Sequence, residues 1–352
     1  MNPMSDSITQ EEYNEFSWLT NIYKLNDRCG YGTFSTVYKA LDIKQTEANK
    51  YDVYVALKNI TRTTAPNRVA DELNFLGILD GKYNCSPLLN CFRYEDQVVA
   101  VFPYFEYTEF KEFLEVCTEE DIRCYLYNIL LAVDHMHKNN IIHRDIKPSN
   151  FLYNKSDETG MLIDFGLAQF DNSKDVKNDR TNKKPSVMFF NSVISRQTQP
   201  PGYLIGDSRP QMKAPRGGTR GFRAPEVLFR LQNQCTKIDI WSVGVILLIL
   251  LSKQFPFFNS MDDKDSLVEI AAIFGQNCMR KVSRHFNRSW KSNISTIPVD
   301  RIPFERLVST FNKEQKFSDD VYDLLYKMME LYPEKRISAD EALKHRFFRK
   351  FK

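Results

Sequence analysis

His143-Arg144-Asp145-Ile146-Lys147-Pro148-Ser149-Asn150, followed by Asp164-Phe165-Gly166, decides how the rest of this chain is read. One short loop carries a carboxylate, an ammonium and an amide. A second carboxylate follows beside a glycine, which permits a sharp backbone turn. Asp145 can orient a hydroxyl nucleophile and accept its proton, and Lys147 can neutralise a transferring phosphoryl group. Asn150 can ligate a metal through its amide oxygen. Asp164 adds a carboxylate suited to Mg²⁺, which takes one or two carboxylates together with phosphate oxygens. The chemistry implied is phosphoryl transfer to a hydroxyl. His143 reads as a packed imidazole rather than an acid or base.

Upstream lies Gly30-Tyr31-Gly32-Thr33-Phe34-Ser35-Thr36-Val37. Its glycines let backbone amides approach a polyphosphate, with Ser35 standing where the common G-x-G-x-x-G pattern has its third glycine. Taken alone, the stretch reads equally well as a plain glycine hairpin. A strand rather than a helix follows it, which argues against a dinucleotide-binding fold. Val55-Ala56-Leu57-Lys58 then ends an apolar strand on a lysine. Such a lysine usually snorkels to water, but a carboxylate on the next helix would aim it at the α and β phosphates. Glu72, the longer acid and the one beside Leu73, is preferred over Asp71 as that partner.

Around these motifs the patterning changes character. Residues 21–42 alternate about the glycine turn as two strands, 53–60 form a third, and 88–93 with 97–102 a further pair. Pro66 opens a helix on which Val69, Leu73 and Leu76 share a face. Residues 126–140 read as a strongly amphipathic helix. The longest apolar run, Ile240 to Leu251, has 12 residues, whereas a membrane span needs about 20; it reads as a helix buried in a protein interior. A β-rich part before a helical part implies an α+β, bilobal architecture. The expected divisions are an N-terminal extension over 1–20, an N-lobe over 21–103 and a C-lobe over 104–352. Residues 171–215 lack periodicity and read as a long insertion, and 276–320 as a second, more ordered one.

Composition narrows the class. The chain has 352 residues, 42% hydrophobic and 26% charged, which excludes global disorder, collagen and a disulfide-stapled miniature. A net charge of +3 is too small for a dedicated nucleic-acid binder. The seven cysteines include no C-x-x-C pair, so neither a disulfide framework nor a structural zinc site is expected, and a reducing compartment is favoured. Residues 1–16 are polar and acidic, without the apolar core of a signal peptide.

With these residues in this order, the chain resembles the eukaryotic protein kinases over roughly residues 21–349. The resemblance implies ATP and Mg²⁺ as cofactors, with Asn150 and Asp164 as metal ligands. It assigns Asp145, Lys147, Lys58, Glu72 and Thr219 to catalysis, Thr219 bonding Asp145 and Lys147. Gly30, Gly32 and Ser35 would cover the phosphates. Val37 and Ala56 would lie above the adenine, and Leu152 below it. The hinge would offer the Pro103 carbonyl and the Phe105 amide, with Phe102 as gatekeeper. Ala224-Pro225-Glu226 would close the activation segment, Asp239 would anchor the catalytic loop, and Arg336 would pair with Glu226. Lys147 and Thr219 resemble the Ser/Thr-specific members.

GTRGFRAPEVL, VVAVFPY, HRDIKPSNFLYN and the 14-residue spacing from Lys58 to Glu72 are together similar to the cell-division-cycle-seven kinases, the catalytic subunits of DDK. CTKIDIWSVGVILLILLSKQFPFFNSMDDKDSL is similar to fungal members in particular. The C-lobe insertion is more compact than is usual in that family. The resemblance implies a nuclear heterodimer with a regulatory subunit that orders the helix carrying Glu72. It also implies protein substrates, the acidic tails of replicative helicase subunits. No direct nucleic-acid contact and no membrane are expected. Residues 172–223 carry five Lys and six Arg against three Asp, a net of +8, which leaves −5 for the remainder. Guanidinium forks suit carboxylates and phosphates, so Arg216, Arg220 and Arg223 are expected to read acidic or phosphorylated residues after the acceptor, Arg216 and Arg223 above all. The alternatives are a catalytically silent scaffold and another acid-directed kinase of the casein-kinase type.

Overall fold

Alternating side chains over the first hundred residues build one twisted antiparallel sheet. The computed structural model describes residues 8–32, 35–60, 64–171 and 217–351. A short helix, α1 (Gln10–Glu15), comes first, followed by β1 (Tyr23–Tyr31), β2 (Ser35–Asp42), helix α2 (Ile43–Asn49) and β3 (Tyr54–Ile60). Helix α3 (Pro66–Leu79) then crosses to β4 (Asn90–Tyr94) and β5 (Gln97–Pro103). The strand order is β1-β2-β3-β5-β4. The register sets Val37 opposite Lys58 and Ala56 opposite Phe102, so neighbouring strands bring the expected nucleotide-side residues together.

Residues 8–20 do more than extend the chain. Thr9 and Glu12 form a reciprocal capping box that starts α1. Phe16 and Leu19, each 1% exposed, enter the sheet's core with Tyr23, Tyr38 and Leu57. Helix α3 also turns a different face inward from the expected one. Its buried residues are Glu72, Phe75, Leu76 and Leu79, while Val69 and Leu73 are only half-buried. Burial of the charged Glu72 rotates the helix away from the purely apolar stripe.

Below the sheet the chain is helical. Helix α4 (Phe110–Val116) leads into α5 (Glu119–Lys138), which begins earlier than its apolar pattern because Thr118 and Asp121 form a second capping box. Two short ladders follow: β6 (Ile141–Ile142) pairs with β9 (Gln169–Phe170), and β7 (Phe151–Asn154) with β8 (Thr159–Leu162). After α6 (Pro225–Leu228) comes α7 (Lys237–Ser252), buried at every position from Ile238 to Ser252. The 12-residue apolar run is thus the axis of the lower half, and among the described residues no helix is long and apolar enough to cross a membrane. Helix α8 (Asp263–His285) bends at Gly275, where φ is +78° and a Cβ would lie 2.5 Å from the Asp300 backbone. The end of α8 and α9 (Phe304–Phe311) occupy the segment read as a second insertion. α10 (Asp319–Met328) and α11 (Ala339–Leu343) complete the lower half. Apart from Asp171, the insertion expected over 171–215 lies outside the described residues.

Candidate active site

Between sheet and helices lies a cleft of about 860 Å³. β1 and β2 roof it with Gly30, Gly32, Ser35 and Val37, and β3 adds Ala56 and Lys58. Phe102, Pro103 and Phe105 close its back and side where β5 runs out, and Leu152 of β7 forms part of its floor. Glu72, Asp145, Lys147, Asn150, Asp164 and Thr219 line the remainder. All the expected nucleotide, metal and catalytic candidates therefore meet in one place. Cys29, Met161 and Ile163 line the cleft too and were not foreseen. Each is a chain neighbour of an expected residue or pairs with one: Cys29 precedes Gly30, Ile163 precedes Asp164, and Met161 faces Leu152 across the β7–β8 ladder.

Above the floor, Lys58 Nζ donates to Glu72 Oε1 at 2.6 Å and to Asp164 Oδ1 at 2.9 Å. Burial of Lys58 disfavours its charge, but the two carboxylates outweigh that penalty and hold its pKa above the ordinary lysine value. For Asp164, burial would raise the pKa; Lys58 first, then His143 and Lys147, overcome it and keep the carboxyl below the usual range. Asp164 has a φ of +65°, in the left-handed region, and Gly166, two residues on, does not. Phe165 is 1% exposed and its ring lies tilted, 5.2 Å from the His143 imidazole, so His143 is a packed residue, as its surroundings in sequence implied.

The loop itself is held from beneath. Asp239, fully buried, accepts the His143 N–H on one carboxylate oxygen and the Arg144 N–H on the other, both at 2.9 Å. His137 Nε2 lies 2.9 Å from the same carboxylate. From above, Thr219 donates its N–H and its hydroxyl to Asp145 Oδ1, each at 2.7 Å. Lys147 Nζ sits 2.9 Å from Asp145 Oδ2 and donates to the Thr219 hydroxyl at 2.9 Å. Asn150 Nδ2 donates to the Asp145 carbonyl at 2.8 Å. Burial pushes the Asp145 carboxyl up, and the Lys147 and Thr219 hydrogen bonds pull it down further, to a value below the ordinary one. Gly218 makes this approach possible: its φ is +96° and a Cβ there would lie 2.2 Å from the Arg144 carbonyl oxygen.

Farther down, Arg336 places two guanidinium nitrogens on Glu226 at 2.7 and 3.0 Å, with side-chain exposures of 0% and 2%. This pair ties the end of the segment after Thr219 to the lower helices.

The donor set fits a hard divalent cation bound with a nucleotide. Asn150 spends its N–H₂ group on Asp145, which leaves its amide oxygen as the ligating atom. The Asp164 side chain is 47% exposed toward the cleft. Among the described residues no group of three or more His, Cys, Asp or Glu could hold a metal alone. Phosphate oxygens and water would therefore have to complete the shell, which is the habit of Mg²⁺.

The arginines divide. Arg220 is exposed beside Thr219. Arg223 does not present an open fork, contrary to expectation: it donates twice to the Gly218 carbonyl and pairs with Asp263 at 2.8 Å. An incoming acid would have to compete with Asp263 for it. Neither Arg220 nor Arg223 lines the main cleft, and Arg216 lies outside the described residues. Asp263 lies 40 residues beyond Arg223, a distance over which no local spacing rule foretells a pair.

Comparison with known proteins agrees with this geometry. The protein kinase domain family matches residues 23–188 and 204–348. The chain is 52% identical over 345 residues to the probable cell division control protein 7 homolog 1 of Encephalitozoon cuniculi, covering 97% of this chain and 96% of that protein. It is 39% identical to the cell cycle serine/threonine-protein kinase hsk1 of Schizosaccharomyces pombe, over 94% of this chain and 73% of that one. It is 26% identical to the human cell division cycle 7-related protein kinase, over 96% and 91% of the two chains. A fold of sheet above helices, a Lys58–Glu72 pair facing Asp164, and relatives matched along 73–96% of their length lead to one conclusion: this chain is an ATP-using serine/threonine protein kinase and belongs to the cell division control protein 7 family.

Proposed function

We propose that this kinase transfers the γ-phosphoryl group of ATP to Ser or Thr residues followed by acidic or already phosphorylated residues. Its substrates are replicative helicase subunits in the nucleus, and their modification triggers the initiation of DNA replication. The observation that carries the reading is the bracing of Asp145, whose two carboxylate oxygens are fixed from three directions by Thr219, Lys147 and Asn150. A carboxylate with a lowered pKa is a weak base, so Asp145 orients the acceptor hydroxyl and takes its proton late. That suits a loose transfer in which positioning and charge neutralisation do most of the catalysis. Lys58, held by Glu72, steadies the α and β phosphates, and Lys147 faces the group in transit. Mg²⁺ held by Asp164 and Asn150 would supply charge neutralisation at the phosphates. Gly30, Gly32 and Ser35 close over them, Val37, Ala56 and Leu152 sandwich the adenine, and Phe102, Pro103 and Phe105 set its edge.

The acid preference is supported by the net +8 over residues 172–223 and by Arg220, exposed next to Thr219. Arg216 and Arg220 are the readers this favours, with Arg223 secondary because of Asp263. A regulatory subunit that forms a heterodimer with the chain would act on α3. That helix has no side-chain N-cap, and Asn67, Ala70, Asp71, Asn74 and Ile78 on its outer side are exposed. Its role is to keep Glu72 on Lys58.

A peptide series varying the residue after the acceptor serine tests the substrate reading. Glutamate or phosphoserine there should raise kcat/KM about tenfold over alanine, an effect of one charge-assisted contact, and Arg220→Glu should erase most of that gain. Lysine accepted as readily as glutamate would refute it.

A further inference from the structure

The Glu12 carboxylate lies outside the cleft, and both of its oxygens are engaged beyond what capping α1 requires. Oε2 accepts the Thr9 N–H at 2.9 Å and the Thr9 hydroxyl at 3.0 Å, which completes the cap of α1. Oε1 accepts Arg28 Nη2 at 2.6 Å and the Tyr38 hydroxyl at 2.8 Å. Arg28 and Tyr38 belong to different strands and face each other in the β1–β2 register. The next rung, Gly30 opposite Val37, comes after a register shift and is the base of the glycine-rich turn. Val37 lines the cleft; Tyr38, the next residue along the strand, points to the other face, where the Phe16 ring meets it at 5.1 Å. Burial alone would raise the Glu12 carboxyl, but the Thr9 backbone, Arg28 and Tyr38 outweigh it and bring its pKa down to about 2.

From this we infer that Glu12 is a positioning residue for the nucleotide: by tying β1 to β2 at the rung below the register shift, it fixes how the glycine-rich turn sits over the cleft. The inference rests on the reading that Gly30, Gly32 and Val37 cover ATP. It adds that the segment before the sheet sets how well they do so.

The test is steady-state kinetics on the full chain, together with whatever subunit co-purifies. Glu12→Gln keeps the shape and removes the charge. KM for ATP should rise about five- to tenfold, the scale of one ordinary hydrogen bond, with kcat within about twofold and KM for the peptide unchanged. Tyr38→Phe keeps the ring against Phe16 and should raise KM for ATP less, in the same direction. It carries the test alone if Glu12→Gln does not fold. Combining both changes should raise KM for ATP by less than the product of the two. Val37→Ala separates the clamp from the cleft it acts on. If it raises KM for ATP while Glu12→Gln and Tyr38→Phe do not, the clamp is overturned and the cleft reading stands. If Val37→Ala also leaves KM for ATP unchanged, both fall. A drop in kcat at constant KM for ATP in Glu12→Gln likewise overturns the clamp.

Discussion

Asp145 below the cleft and Glu72 above it are both buried acids, at 7% and 8% exposure, but the elements that carry them are held in different ways. The loop of Asp145 is bonded to the fully buried Asp239, to Thr219 and, through the segment after Thr219, to the sealed Glu226–Arg336 pair. The α7 helix beneath it is buried on all sides. Glu72 rides on α3, which lacks a side-chain cap, buries four residues and carries a glycine at position 77. Its tie to the cleft is the bond to Lys58. The loop of Asp145 is thus bonded from several sides, whereas α3 is held by the packing of Phe75, Leu76 and Leu79 against the lower core and by the bond from Glu72 to Lys58.

The contrast can be broken from below. Arg336→Leu leaves Glu226 charged and unpaired in the interior, which should cost about 3–5 kcal/mol of stability. Denaturant titration reads this directly, and an unchanged midpoint would mean that the lower half is not held as described. Removing the tie above should act differently. Glu72→Gln weakens the grip on Lys58 and should slow phosphoryl transfer by about 10- to 100-fold, because the Lys–Glu pair must be in place for transfer, while shifting the unfolding midpoint little. A stability loss as large as that of Arg336→Leu would erase the distinction. The smallest effect sharpens it. Nothing lies within 4 Å of a Cβ built on Gly77, so Gly77→Ala should stabilise α3 by about 0.5–1 kcal/mol. Transfer by the chain should then rise modestly, and a fall would show that α3 does not limit the active arrangement.

The sequence made the strands of the upper half legible, and in the lower half the catalytic loop and the buried helix α7. The catalytic loop and Asp164 announce themselves because chemistry demands those residue types at short spacing. The five strands follow from alternation, and α7 from an apolar run broken only by Ser242 and Gly244. What escaped notice depends on contacts that no local pattern carries. The inward face of α3 is set by a buried charge rather than by its leucines. Arg223 is taken up by Asp263, 40 residues on. The Thr9–Glu12 box was readable as a helix start, but nothing in its polar surroundings announced that Glu12 would reach Arg28 and Tyr38. Cys29, Met161 and Ile163 enter the cleft through strand geometry alone.

On the function we propose, Asp145, braced from below, orients the acceptor, while Lys58 and Glu72 hold the nucleotide from above. Single-turnover transfer from γ-labelled ATP to a serine peptide, measured beside ATP affinity on the same Asp145→Asn preparation, tests it most directly. Transfer should fall by at least about a thousandfold, the upper range for losing a positioned acid–base group, with ATP affinity retained. Transfer that persists, or affinity that collapses along with it, would contradict the division of labour between the two halves.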